Sequence, residues 1–349
     1  MLYFKRIGMK IEENVSLKDC NTLQIPVIAR YLVRIQEEQD VYELIQSDLW
    51  KVEKHCILNG WANVLFTKDF DGIVLKMEMK WKAFIEDWLV EAYAWENWSD
   101  FVEWICSKWY CWVENLIDIP GNVGTAPVSN IWAYWVEISK YVKYVEGVNL
   151  QTWEKKIYNH EDCEFAYRTS IFKHSLKENF LIIKVEFSLN RVDETYVPNI
   201  GYADIQKQIS ESWNSPTTPI EVLNIVRDIR ANKLPDWHKI WTAGSFFANP
   251  IVTKVERLKL EKQFPNLSHH DYLEWTEMKI KLSAGQLIDL CGLKWWRIKN
   301  GMAGTYEKHA LILINDWGNA DDVLEAMHYI QKMVLDKFGV RLEPEVVLV

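Results

Sequence analysis

Residues 114–131 read Glu114-Asn115-Leu116-Ile117-Asp118-Ile119-Pro120-Gly121-Asn122-Val123-Gly124-Thr125-Ala126-Pro127-Val128-Ser129-Asn130-Ile131. Two prolines and two glycines between Ile119 and Pro127 fix an irregular backbone that continues neither a helix nor a strand. Such a loop can turn successive N–H groups toward one point with no side chain in the way, a nest suited to phosphate. Its composition alone also fits an ordinary surface loop. It lacks the Gly-Lys-Ser/Thr of a Walker A loop and is not a GxGxxG turn after a strand.

Outward from this loop the pattern is mixed α and β. Upstream, His55-Cys56-Ile57-Leu58, the polar turn Asn59-Gly60-Trp61-Ala62-Asn63 and Val64-Leu65-Phe66 read as strand, tight loop, strand. Asp100 to Lys108 carries helical spacing, with apolar residues at 101, 102, 105 and 109. Downstream, 144–150, 156–158 and 183–189 read as strands. In the last of these Val185, Phe187 and Leu189 alternate with Lys184, Glu186 and Ser188. A stretch rich in Pro, Ser, Thr and Asn at 191–219 marks a domain boundary. Beyond it Thr218-Pro219-Ile220-Glu221 is a capping box with Pro at the first helical position. Val222, Ile225, Val226 and Ile229 supply the apolar stripe that follows. A second helix is expected over 321–338, opened by acids and closed by Gly339, with a strand over 340–349.

The 349 residues amount to two or three domains at roughly 150 residues each. With 40 basic and 49 acidic side chains the net charge is −9, which argues against a general grip on nucleic acid. Mean hydropathy is −0.19. The longest uncharged stretch, 119–136, holds Pro120, Gly121, Pro127 and several polar residues, so no membrane span is expected. The N-terminus has no apolar run long enough for a signal peptide. The six cysteines form no CxxC pair and no zinc spacing, so free thiols in a reducing cytoplasm are expected. The pairs His269/His270 and His160/His174 have no partner at metal spacing.

The 114–131 segment closely resembles the flavin loop of UDP-N-acetylenolpyruvoylglucosamine reductase, the MurB family. Four further blocks agree, in the family's order. Asn59-Gly60-Trp61-Ala62-Asn63-Val64-Leu65 resembles its first flavin loop, and Phe165-Ala166-Tyr167-Arg168-Thr169-Ser170 its catalytic arginine segment. Ala243-Gly244-Ser245-Phe246-Phe247-Ala248-Asn249-Pro250 resembles its serine loop, and Leu342-Glu343-Pro344-Glu345-Val346 its C-terminal glutamate. Asn199-Ile200-Gly201-Tyr202-Ala203-Asp204 is similar to the substrate-covering tyrosine loop of the type I branch.

The resemblance implies an α+β protein: a PCMH-type FAD-binding domain of two α/β subdomains, then a C-terminal α+β substrate-binding domain. The boundaries it sets are an extension at 1–16, the FAD domain at 17–195 (subdomains about 17–80 and 81–195), a substrate-loop and linker region at 196–218, and the substrate domain at 219–349. It implies reduction of UDP-N-acetylglucosamine enolpyruvate to UDP-N-acetylmuramate in peptidoglycan precursor synthesis, with bound FAD and NADPH as hydride donor. The protein is expected to be a cytoplasmic monomer with no nucleic-acid or membrane partner and no metal. Ser245 is implied as proton donor, with Arg168 and Glu345 the other catalytic residues. Cofactor contacts are implied for Asn59, Gly60, Ala62, Asn63, Pro120, Gly121, Asn122, Gly124, Thr125, Pro127 and Asn130. Substrate contacts are implied for Tyr167, Tyr202, Lys233 and Asn249. Arg227 and Arg230 read as favourable cations near a helix C-terminus, and Lys233 shares that alternative. The competing readings are an inactive, flavin-poor relative that only binds nucleotide sugar, and another PCMH-type flavoprotein oxidoreductase.

One departure runs through all these blocks. The chain has 19 Trp and only 14 Gly, about 4% against a usual 7%. Trp61, Trp95, Trp112, Trp132, Trp135, Trp241 and Trp295 stand where the family's motifs carry small residues or glycine, as do Lys299 and Gln24. Trp153 falls in a turn between two strands. Such glycines serve positive φ or close approach. The pattern points to an altered sequence with an intact catalytic set and a perturbed cofactor site.

Overall fold

A computed structural model describes residues 10–58, 63–212, 215–274 and 277–349. They divide into two compact units that interleave along the chain. The first comprises Met1–Val15, Ala29–Gly60 and Phe70–Asn232; the second comprises Ser16–Ile28, Trp61–Asp69 and Lys233–Val349. No helix among the described residues is long and apolar enough to cross a membrane.

The first unit holds two sheets. In one, Ile28–Ile35 and His55–Leu58 flank Phe70–Met77 in parallel, and Lys10–Ser16 forms the edge. Parallel pairing needs a crossover, supplied by the helix Glu38–Gln46 with its Glu37/Asp40 capping box. The second sheet is antiparallel, in the order 155–159, 142–149, 180–188, 89–93, 82–86. Along its central strand Phe180–Ser188 side chains of both orientations are buried, so the alternation seen in the sequence does not become one wet face. Glu186 is only 4% exposed and pairs with Lys143 at 3.0 Å.

Against this sheet packs the helix Trp98–Ser107, with the Phe101 ring 5.1 Å from Phe187, and the helix Pro219–Lys233 joins the same core through Val222, Val226 and Ile229. Trp98 is the largest fully buried side chain, and its indole N–H donates to Leu116 O at 2.8 Å. Trp109, read as part of the helical stripe, lies beyond the helix with φ 62° and 57% exposure. The segment 196–218, read as linker, contains the helix Ala203–Ser212.

In the second unit, Trp241–Ser245, Ile312–Asn315 and Ala303–Thr305 form an antiparallel sheet. The helix Ala320–Phe338 opens on an Asn319/Asp322 capping box and ends at Gly339, φ 66°. The tail is less regular than the sequence implies. Pro344 interrupts it, and only Val347–Leu348 is strand, pairing in parallel with Val64–Leu65.

Candidate active site

The loop 120–130 is wound tightly. Gly121 sits at φ +129°, a conformation L side chains rarely adopt, and its carbonyl accepts from Trp98 N–H at 3.1 Å. A Cβ on Gly124 would come within 2.5 Å of the Ala94 Cβ, so only glycine lets the loop lie on the end of Leu89–Tyr93. Asn122 and Thr125 cap the short 3₁₀ turn reciprocally.

This winding corrects the open-nest reading. Val123 N–H donates to Glu96 O and Gly124 N–H to Ala94 O, both at 2.9 Å. The N–H groups of Asn122, Thr125 and Ala126 donate within the turn itself. The donors from 122 to 126 are spent on holding the loop's shape. Asn130 is likewise committed: it is 1% exposed, and its Nδ2 donates to Glu137 Oε1 (2.7 Å) and Ala166 O (3.0 Å). Its Oδ1 accepts from Ser139 N–H at 3.1 Å. Asn130 thereby ties the loop to the arginine segment two residues before Arg168. Arg168 is half-buried at φ 55°, with its carbonyl accepting from Lys173.

Arg230, which the sequence left as a helix-end cation, turns inward. Its Nη2 donates to Asp118 O at 2.9 Å, while its Nε is buried without a partner. Burial, countered by Tyr134 and Asp118, pushes its pKa down, and Arg168 adds repulsion. The Asn115 Oδ1 is a second buried atom without a partner, although its Nδ2 donates to Asn199 O at 2.9 Å. An orphaned donor and an orphaned acceptor beside one loop are what a cofactor rich in ring N–H and carbonyl groups satisfies. The residues present therefore fit FAD. Tyr202 packs edge-on to Tyr134 and Trp135 at 5.0 and 5.9 Å. Arg227 pairs with Asp118 and Glu103 instead of facing a ligand.

The second unit brings Ser245, Glu345 and Asn63 together. Pairing along Trp241–Ser245 slips by one residue between Thr242 and Ser245, a bulge that Gly244 permits with φ +80°. The bulge turns Ser245 out to solvent while Phe246 and Phe247 stay buried. Glu345 N–H donates to Phe246 O at 2.9 Å, and Phe247 bridges to Pro344. Asn63, at φ 64°, donates from Nδ2 to Glu345 O at 3.3 Å. Asn249 accepts from Ala284 N–H at 2.9 Å, which leaves its Nδ2 hydrogens for a ligand. Lys233 is exposed at the helix end and helps depress the pKa of His309, after burial.

Asn59, Gly60, Trp61 and Ala62 lie outside the described residues. Of the remaining substituted positions, Gln24, Trp112, Trp135 and Trp295 have positive φ (54°, 88°, 65° and 55°), the conformation glycine serves. Trp95, Trp132, Trp241 and Lys299 do not: Trp95 is 6% exposed in the interior, and Trp132 and Trp241 lie in strands.

Residues 29–157 match the family model of an FAD-binding domain, so the first unit carries the architecture of a flavoprotein. Residues 235–349 match the C-terminal domain of UDP-N-acetylenolpyruvoylglucosamine reductase. The chain is 36% identical over 345 residues to the enzyme of that name from Flavobacterium johnsoniae, covering 97% of this chain and 99% of that protein. It is 37% identical to the one from Bdellovibrio bacteriovorus, with coverage of 97% and 99%. The fold agrees with the crystal structure of the Thermus caldophilus reductase at a TM-score of 0.66 and 20% identity, covering 97% of this chain and 99% of that one. The chain belongs to the UDP-N-acetylenolpyruvoylglucosamine reductase family, a family of FAD-dependent oxidoreductases.

Proposed function

We propose that the protein reduces UDP-N-acetylglucosamine enolpyruvate to UDP-N-acetylmuramate in peptidoglycan precursor synthesis, with FAD bound and NADPH as reductant. The observation that carries this reading is the pairing of Ser245 with Glu345 through the Phe246–Glu345 backbone bond, on a bulge that aims the hydroxyl outward. When bound and reduced, FAD supplies a hydride to the methylene carbon of the enolpyruvyl group.

The chain's own residues do the rest. As the double-bond pair moves onto the carbon beside the carboxylate, Ser245 Oγ delivers its proton there and saturates the bond. Arg168, a planar cation, holds the carboxylate and the charge that grows on it. Glu345 holds the enolic form by hydrogen bonding to it. Tyr202 and Tyr167 cover the substrate, and Lys233 with the Nδ2 of Asn249 take its polar groups. Asn63 and the 120–127 loop, through Pro120, Gly121, Asn122, Gly124, Thr125 and Pro127, frame the cofactor, with Asn130 as the tie that holds the loop. The protein acts as a monomer in the bacterial cytoplasm, and its net charge of −9 opposes a nucleic-acid role.

The test is Ser245→Ala under two assays. NADPH oxidation by bound flavin should be nearly unchanged, while reduction of the enolpyruvyl substrate should fall by about 10²–10⁴-fold. If both half-reactions fall together, Ser245 is structural and the proton-donor assignment is lost.

A further inference from the structure

Two groups of tryptophan contrast in their backbone. Trp50 and Trp98 behave as tryptophan should: both are buried, the first stacked on His55 at 4.1 Å and the second satisfied at its indole N–H. Among the described residues six others, Trp109, Trp112, Trp135, Trp153, Trp295 and Trp317, have φ between 55° and 88°. That region is a genuine outlier for a bulky side chain. Five of the six are 46–76% exposed, so packing does not compensate.

Three of them occupy motifs whose chemistry asks for glycine. Trp109 follows the helix Trp98–Ser107 with Tyr110 N–H bonded to Ile105 O and its own N–H to Cys106 O, the Schellman pattern. Gly339, at φ 66°, closes the helix Ala320–Phe338 in the same backbone region. Tyr134 and Trp135 are the two-residue loop between Trp132–Ala133 and Val136–Glu137, with φ 47° and 65°. Positive φ at both positions is a type I′ turn, whose second residue is characteristically glycine. Trp153 is the left-handed residue of the hairpin loop joining 142–149 to 155–159, its N–H on Asn149 O at 2.8 Å.

We propose that the protein made in its own cells carries glycine at 109, 112, 135, 153, 295 and 317, inserted at UGA codons by a glycine-charged tRNA, while tryptophan at 50 and 98 comes from UGG. UGA is the one stop codon that shares its first two bases with the tryptophan codon UGG, from which it differs by a purine for a purine, and it differs from the glycine codon GGA only in its first base. A single reassignment therefore explains an excess of one residue and a deficit of the other at the same backbone positions. It also has a consequence at the site: glycine at 135 removes the ring that packs on Tyr202 and that a Cβ on Gly201 would meet at 2.6 Å. This consequence rests on the proposed role of Tyr202; the decoding itself does not.

The test is peptide mass spectrometry on the protein purified from the cells that carry its gene, beside the gene's codons. The tryptic peptide 144–155 should contain glycine at 153, and peptide 35–51 should retain tryptophan at 50. Tryptophan as the main residue at 153, or UGG at that codon, overturns the proposal. Neither outcome depends on activity, so the decoding and the enzymatic reading fail separately.

Discussion

Glu114 offers a quantitative test of how the first unit is held together. It is fully buried; Tyr196 donates to its Oε1 at 2.9 Å, while its Oε2 has no partner. Burial dominates the local hydrogen bonds and raises its pKa. A carboxyl whose folded pKa lies above its unfolded value of about 4.3 binds more protons in the native state than in the unfolded state. Its contribution is therefore fully present below pH 4.3 and is lost as pH rises through the folded value. Within that window stability falls by up to about 1.4 kcal/mol per pH unit. Glu114→Gln keeps an oxygen for Tyr196 and cannot ionise. The two proteins should be close in stability near pH 4, and the variant should gain on the parent as pH rises toward neutrality. Urea melts at half-unit intervals from pH 4 to 8 give the difference directly, because other carboxylates titrate alike in both proteins. A constant difference, or one favouring the parent at higher pH, would refute the claim that burial governs this group.

Gly124→Ala places a methyl 2.5 Å from the Ala94 Cβ and should cost about 1–3 kcal/mol, with FAD retention falling in the same preparation; an unchanged melt would show that the loop has room. Asn130→Ala strips three hydrogen bonds from a buried junction and should destabilise by about 1–3 kcal/mol, read by thermal melts. Trp153→Gly relieves about 1–2 kcal/mol of left-handed strain on a half-exposed side chain. Its melting temperature should rise by about 2–4 °C, whereas a fall would mean that packing outweighs strain there.

The sequence by itself determined the elements whose signals are local. The capping box at 218–221 with its apolar stripe, and the acid-opened helix closed by Gly339, are set by side chains within a few residues of each other. The five ordered blocks likewise carried the family, because each is a short string whose identity needs no partner. What the loop's N–H groups face was not legible: Ala94 and Glu96 claim two of them, and only the folded chain brings that strand end beneath the turn. Arg230 looked like a dipole cation because its neighbours on the helix are visible in sequence, whereas Asp118 and Tyr134 are not. The union of Asn63 with Glu345 joins residues 282 apart, and the outward aim of Ser245 comes from a one-residue slip against Ile312–Asn315. Pairing, register and burial are non-local quantities. The amino-acid order supplies the groups, and the tertiary structure decides which of them meet.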